Sequence, residues 1–363
     1  MDEKKIKDEK ALENRCPSCK ASIKYNPKVK KWKCDYCGSE FTLEEMQKFK
    51  DNASTEEKNK KEEKKQEEQV YINYHCESCG AEIIADEATS ATFCVYCGNT
   101  AILQSKLEGK FSPDYIIPFQ KEKQIAIDAF KNLSKGRPFV PRDFNKETNI
   151  EKIRGIYIPF WLYDFNVSGD IVMDAKIVHS WTSGNTHYTK TSTFQVTRGG
   201  KMDFSMIPVD GSTHFDNDIM NTIEPFHYNE LIPYNHAYLS GFYAEKYDVA
   251  SEDAKEEAIN RAIRSAKDTL EADAVGYTSK IILNDNLEAK EKSTKYALLP
   301  VWMVNVKYNN KMHTFAMNGQ TGEFIGNIPL EKRKVVLYTI AIWILSLAIC
   351  IALSYMLYIT GGK

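Results

Sequence analysis

Eight cysteines arranged as four Cys-x-x-Cys turns set the strongest constraint on what this chain can fold into: Cys16/Cys19, Cys34/Cys37, Cys76/Cys79 and Cys94/Cys97. Each turn carries two thiols to one side of a tight loop. Two such turns complete a tetrahedral donor set with metal–sulfur bonds of about 2.3 Å. Fourteen residues separate the two turns of each quartet, which leaves room for a short hairpin. The second quartet repeats the first sixty positions on, and Ser18/Ser78, Ala21/Ala81, Ile23/Ile83, Tyr36/Tyr96 and Gly38/Gly98 keep the same offset. The spacing predicts a duplicated zinc ribbon, over residues 15–48 and 71–104, holding two Zn2+ ions. Iron in a rubredoxin-like site is the chemical alternative. Four thiolates leave no open coordination position, so the expected sites are structural and not catalytic. Modules this small lack a core of their own, and metal binding would supply roughly 10–16 kcal/mol toward folding.

The compartment follows from the same residues. A disulfide framework is typical of short exported chains, whereas this one has 363 residues and opens on MDEKKIKDEK, with no apolar leader. Reduced, metal-bound thiolates on the cytoplasmic side are the expectation. The ninth cysteine, Cys350, lies in an apolar run near the C-terminus.

Overall charge is close to balanced, at −2, so any attraction to polyanions must be local. The two ribbons differ. Residues 15–40 carry seven basic side chains against Asp35 and Glu40, while residues 75–100 carry four acids and no Lys or Arg. Lys28, Lys30, Lys31 and Lys33 are therefore candidate contacts for phosphate or for anionic lipid, with Trp32 and Tyr25 available to stack on bases. The alternative role for Trp32 and Tyr25 is the small apolar core of the ribbon.

The rest of the chain divides by composition. A polar segment, 1–14, precedes the first ribbon. Residues 49–70 form a charged linker, in which Glu56/Lys60 and Glu57/Lys61 have the spacing of a solvated helix. A mixed α+β region spans 111–330. Within it, Lys121 to Lys135 and Ser251 to Ala274 read as helices, and Ile156 to Lys176 and Tyr296 to Asn318 as strands. Gly184-Asn185 and Asn309-Asn310 mark turns. Ala258, Ile259, Ala262, Ile263, Ala266 and Leu270 form a helical stripe suited to core packing. Proline motifs suggest that the region is duplicated, as units of about 111–228 and 229–330. Ile116-Ile117-Pro118-Phe119 and Leu231-Ile232-Pro233-Tyr234 precede the helices, and Ile158-Pro159-Phe160-Trp161 and Leu299-Pro300-Val301-Trp302 lead into strands.

Residues 335–360 contain no charged side chain, longer than the roughly 20 residues a helix needs to cross a bilayer core. Tyr338, Tyr355 and Tyr358 lie near its ends, and Lys332, Arg333 and Lys334 precede it. The positive-inside rule then places a tail-anchored, single-pass protein in the cell membrane with its N-terminal bulk cytoplasmic.

Together, the paired Cys-x-x-Cys turns, the proline-marked α+β region and the terminal span resemble a family of TFIIB-type zinc-ribbon-containing membrane proteins of Firmicutes, some of them labelled PriA-like helicases. The resemblance implies a membrane-bound adaptor in a phage-shock-like stress complex, with an SPFH-type or PspA-type scaffold as partner, and it carries over onto the eight cysteines. A helicase needs a phosphate-cradling G-x-x-x-x-G-K-[ST] loop, whereas Gly109-Lys110-Phe111-Ser112 has Gln at position 104 where the first Gly is required. His179 and His187 flank the Gly-Asn turn and are expected close together. No G-x-S-x-G or H-E-x-x-H pattern occurs. The expectation is therefore a non-enzymatic adaptor docking partner proteins, with a membrane-tethered nucleic-acid binder using the first ribbon as the rival.

Overall fold

The computed structural model describes residues 8–10, 15–53, 72–75, 82–85, 89–93, 100–102, 112–133, 135–141, 153–215, 217–308, 311–326 and 328–361. The linker beyond residue 53 and the turns at 76–81 and 94–99 lie outside them.

The chain begins with β1 (Asp8–Lys10) and the first ribbon, built of β2 (Ile23–Asn26), β3 (Lys31–Cys34), β4 (Glu40–Phe41) and α1 (Leu43–Ala53). Next come β5 (Ile72–His75), β6 (Glu82–Ala85), β7 (Thr89–Phe93) and β8 (Thr100–Ile102). Their pairing repeats the first ribbon at the same offset as the cysteines. His75 faces Glu82, Thr92 faces Ala101 and Phe93 faces Thr100, as Arg15 faces Ser22, Trp32 faces Phe41 and Lys33 faces Glu40.

The middle region is one curled sheet with helices on its faces. Its elements are β9 (Tyr115–Ile116), α2 (Lys123–Asn132), β10 (Arg154–Ser183), β11 (Thr186–Asp210), α3 (Asn217–Thr222), β12 (Ile232–Pro233), β13 (Tyr243–Glu245), α4 (Ser251–Asp273), β14 (Ser279–Asp285), β15 (Glu288–Tyr308), β16 (Lys311–Asn318) and β17 (Phe324–Gly326). The strand order is β12-β9-β15-β10-β13-β7-β8, with β11 and β14 also on β10, and with β16 on β15 and β17 on β16. Thus β7, which lies between the second pair of Cys-x-x-Cys turns in sequence, joins the large sheet beside β13, Ala91 opposite Ala244.

β10 organises the sheet because its 30 residues pass through three environments. From Tyr157 to Tyr163 every residue is buried, on two faces. Ile158, Phe160 and Leu162 meet Met220, Ile223 and Phe226 around α3, while Tyr157, Trp161 and Tyr163 face the larger cluster under α4. From Phe165 to Ala175 burial alternates, as it must on a sheet covered by one helix. Ala254, Ala258, Ala262, Ala266 and Leu270 of α4 supply that cover. Small side chains at this spacing let the helix lie close to the sheet. From Val178 to the turn at Gly184 β10 is exposed, and β14, which pairs with it no further than Lys176, gives it no third strand there. Gly169, at φ +140°, permits the approach of the turn between β14 and β15: a Cβ there would stand 2.1 Å from the carbonyl oxygen of Asn286.

The proline motifs are brought together in pairs. Ile158 lies opposite Leu299, with Pro159 opposite Leu298 and Tyr157 opposite Pro300. Leu231–Tyr234 does not lead directly into α4. Its Ile232 pairs with Ile116 instead, and β13 is the strand that precedes α4. Corresponding bonds recur around the center. The Gly211 N–H donates to the Pro159 carbonyl and the Gly319 N–H to the Pro300 carbonyl, at 2.9 and 2.8 Å. Gly211 accepts from the N–H groups of Asp248 and Val249, and Gly319 from those of Gln120 and Lys121. The Trp161 indole donates to the Val249 carbonyl and the Trp302 indole to that of Lys121, each at 2.9 Å.

One difference between these corners has a pH signature. Asn318 is fully used, its amide donating to Ile223 and Pro225 and accepting from Gln320 and Thr321. Asp210 accepts from the Ser212 N–H, but its second oxygen is buried without a partner. Burial, with Asp248 and Glu245 adding repulsion, pushes the Asp210 carboxyl up to about 7. The folded state therefore holds a proton that the unfolded chain has lost above about pH 4, and stability falls as pH rises from about 4 to about 7. Asp210→Asn is expected to leave the melting temperature unchanged near pH 4 and to raise it at pH 8, by an amount equivalent to roughly 2–4 kcal/mol. Parallel melting curves for the two proteins across pH check this.

The last helix, α5 (Lys332–Gly361), is long and apolar enough to cross a membrane. Within Lys332–Ser354 an 18-residue window reaches a mean hydropathy of 2.6, and none of that window is buried among the described residues. β17 runs toward the end of the sheet at which β10 begins, so α5 starts six residues beyond that end. The turn at Gly184-Asn185 lies at the other end of β10, on the order of 90 Å away along the strand contour.

Candidate metal centre

The first quartet forms a site. The sulfurs of Cys16, Cys19, Cys34 and Cys37 all lie within 4.8 Å of one another, with Cys16–Cys37 at 3.6 Å and Cys19–Cys34 at 3.5 Å. A tetrahedron with 2.3 Å bonds requires sulfur–sulfur distances of about 3.8 Å, so this donor set fits a metal ion. The two turns reach the geometry in the same way. Lys20 N–H donates to the Cys16 carbonyl and Gly38 N–H to the Cys34 carbonyl, both at 2.9 Å. Lys20 and Gly38 both take left-handed backbone, φ 64° and 73°. Gly38 does so freely, whereas Lys20 carries a Cβ that disfavours it.

The electrostatics are those of a set that needs a cation. The hydroxyl and the backbone N–H of Ser39 hold the Cys37 thiol down, to about 6. Cys19 goes the other way. The backbone bond at Ala21 favours its thiolate, but burial and the three neighbouring thiols outweigh that and push it up to about 12. Four thiolates so close together require positive charge among them. Cys76, Cys79, Cys94 and Cys97 lie outside the described residues.

The basic residues separate from the aromatic ones. Lys28, Lys30, Lys31 and Lys33 are exposed, but Trp32 is only 1% exposed, and this corrects its assignment as a stacking surface. The Trp32 indole donates to the Ala237 carbonyl at 2.9 Å, and its ring packs between Tyr25 and Tyr238, 5.0 Å from each. The Tyr25 N–H donates to the Ser240 carbonyl at 3.0 Å. The docking segment is a single 3-10 turn, His236–Leu239, capped by Asn235, which accepts from the Ala237 N–H. Among the described residues, then, the first ribbon's apolar side is spent on the curled sheet of its own chain. Strand alternation in β3, buried at Trp32 and Cys34 and exposed at Lys31 and Lys33, is the sequence signal for this division.

The histidines expected near one another are not a pair. His179 lies opposite Lys190 and His187 opposite Thr182, which puts them on opposite faces of the hairpin. His187 is within 3.1 Å of the Thr182 hydroxyl. An open groove of about 890 Å3 between β11 and α4 was not foreseen. It is lined by Glu224, Asp253, Glu256 and Glu257, with Arg261 bonded to Glu224, Glu257 and Asn221.

The fold and this site define a chain with a four-cysteine metal module docked on a curled sheet, followed by one helix long and apolar enough to cross a membrane. The chain is 33% identical over 313 residues to the uncharacterized protein YdjG of Bacillus subtilis (strain 168), across 73% of this chain and 92% of that protein, and it belongs to the same family. No protein-family model matches it, and no solved structure matches it.

Proposed function

We propose that this protein is a membrane-anchored adaptor. On this reading, α5 spans the cell membrane, the basic cluster before it keeps the N-terminal bulk in the cytoplasm, and both cysteine quartets hold Zn2+ in ribbons of the TFIIB type. The function is to dock partner proteins, and the resemblance to stress-linked relatives suggests a scaffold of the SPFH or PspA type.

One observation carries the reading: the helix leaves at one end of β10, and the β10–β11 hairpin ends in exposed aromatic residues at the other. Trp181 and Tyr188 are 49% and 45% exposed and stack on one another, ring centroids 5.5 Å apart. We further infer that the curled sheet consists of two related units, supported by the recurring bonds of Gly211 and Gly319 and of Trp161 and Trp302. In this alignment β13, and not Leu231–Tyr234, corresponds to β9. Trp302 is followed by six further residues of its strand, but Trp161 by twenty-two. The extra length of the first hairpin exceeds what its counterpart needs to close the sheet, and its tip is exposed among the described residues. Rigid aromatic pairs of this kind are the residues that dominate protein interfaces.

A photo-crosslinking amino acid placed at Tyr188 in the membrane-embedded full chain tests this in living cells. A discrete protein adduct, weakened by Trp181→Ala, is the expected result. A folded, membrane-inserted protein that yields no adduct from the tip would sink the adaptor reading. The nucleic-acid alternative retains the exposed lysines of the first ribbon but has lost its stacking partners. It predicts a salt-dependent shift of single-stranded DNA that disappears on Lys→Glu changes at Lys28, Lys30, Lys31 and Lys33.

A further inference from the structure

The curled sheet also contributes to the foot of α5. The loop after α2 folds back against the first two turns of that helix. The Glu331 N–H donates to the Phe139 carbonyl at 2.9 Å, and Lys334 Nζ donates to the Val140 carbonyl at 3.2 Å. The Phe139 ring meets Tyr338 edge-on, with centroids 5.2 Å apart. Pro138 and Pro141 stiffen this short run. The pinned loop carries Lys135 and Arg137 four and two residues before Phe139, and the helix foot that it touches carries Lys332 and Arg333; all four are exposed. Glu331 is already bound by Lys334 at 2.8 Å, and none of the four cations has an ion-pair partner among the described residues.

The heights suit a membrane surface. Aromatic rings such as Phe139 and Tyr338 favour the edge of the hydrocarbon, and Tyr338 begins the long apolar run. At about 1.5 Å per residue, Arg333 stands roughly 8 Å above Tyr338 along the helix, which is the depth of a headgroup layer. We propose that Lys135, Arg137, Lys332 and Arg333 form a two-segment site for the phosphate of anionic phospholipid headgroups, in the same membrane that α5 crosses. Arg137 and Arg333 offer planar forks matched to phosphate oxygens, and the lysines add point charge. Because half of the site belongs to the loop and half to the helix, a bound headgroup fixes how the curled sheet stands on the membrane. This rests on the membrane-spanning reading of α5.

The test uses the full chain in phosphatidylcholine nanodiscs containing spin-labelled phosphatidylglycerol. The readout is the immobilised fraction of label relative to spin-labelled phosphatidylcholine. Wild type should prefer the anionic lipid. Lys135→Gln/Arg137→Gln, which leaves the helix flank untouched, should weaken that preference at about fivefold per cation. Arg137→Lys should retain most of it. Unchanged preference in the loop variant would overturn the two-segment site, as would displacement of the labelled lipid by millimolar inorganic phosphate, which would assign the cations to a free anion. Alkaline extraction of native membranes separates the two readings: release of the chain would refute the span itself, whereas retention with no lipid preference refutes only the site.

Discussion

Replacing Cys34 with serine should release the metal, unfold residues 15–41 and strip Trp32 from its seat on Ala237, with a large red shift of that indole's emission. The magnitude follows from the size of the module. Its core is little more than Ile23, Tyr25, Trp32 and Met46, so a bound metal, worth roughly 10–16 kcal/mol, would carry its folding. Serine cannot supply the soft thiolate donor that zinc prefers. The chain has five tryptophans, so the signal is read as the difference from a Trp32→Phe background. Trp161 and Trp302, bonded within the sheet, should keep their emission. Strong chelation of the native protein should reproduce the shift, and added Zn2+ should reverse it. Retention of one metal per first ribbon in Cys34→Ser, with Trp32 still buried, would contradict the donor set.

The second large effect lies in the groove between β11 and α4. Arg261 donates to the Pro208 carbonyl at 2.8 Å, to Glu224 at 3.0 Å and to Glu257 at 3.1 Å, and it also bonds Asn221. Burial raises Glu224 even with this partner in place. Arg261→Met would leave that carboxylate in a poorly solvated site with no cation, at a cost of about 3–5 kcal/mol. For a domain of this size that corresponds to roughly 10 °C in melting temperature. The loss should shrink at acid pH, where Glu224 takes up a proton and the uncompensated charge disappears. Arg261→Met/Glu224→Gln should recover most of the stability, because the cost comes from an orphaned charge and not from the missing pair. Melting of the four proteins of this cycle in mild detergent checks both statements.

What could be read from the sequence depended on range. The cysteine quartets are legible because Cys-x-x-Cys turns are local, and the offset shared by two copies removes most coincidence. The stripe Ala258, Ala262, Ala266 and Leu270 is legible for the same reason, since four-residue spacing directly describes a helix face. Residues 335–360 need only composition. Trp32 was ambiguous because its partner, Ala237, is about two hundred positions away, and no local pattern distinguishes an indole that stacks on a base from one that seals an intramolecular joint. The length of β10 was hidden too. Beyond Lys176 its residues include Thr182, Ser180 and His179, polar on both faces, so the alternation that betrays a half-buried strand stops while the strand continues. Leu231–Tyr234 misled for a more instructive reason. It shares a proline with Ile116–Phe119, but the strand that runs parallel to β10, as Tyr115–Ile116 runs parallel to β15, is Tyr243–Glu245, held by backbone bonds that leave no trace in side-chain identity.

The crossed bonds at Gly211 and Gly319 also govern when this protein can become itself. The early segment at Gln120 and Lys121 is held by Gly319 and Trp302, and among the described residues β9 pairs with β12 and β15. During synthesis the first half must wait, with its edges open, until nearly all of the second has been made. By then the ribosome has only a dozen residues left to add before it reaches the helix that is long and apolar enough to cross a membrane. Closure of the curled sheet and emergence of the long apolar helix therefore fall in the same brief interval, and a delay in either leaves apolar surface waiting on the other.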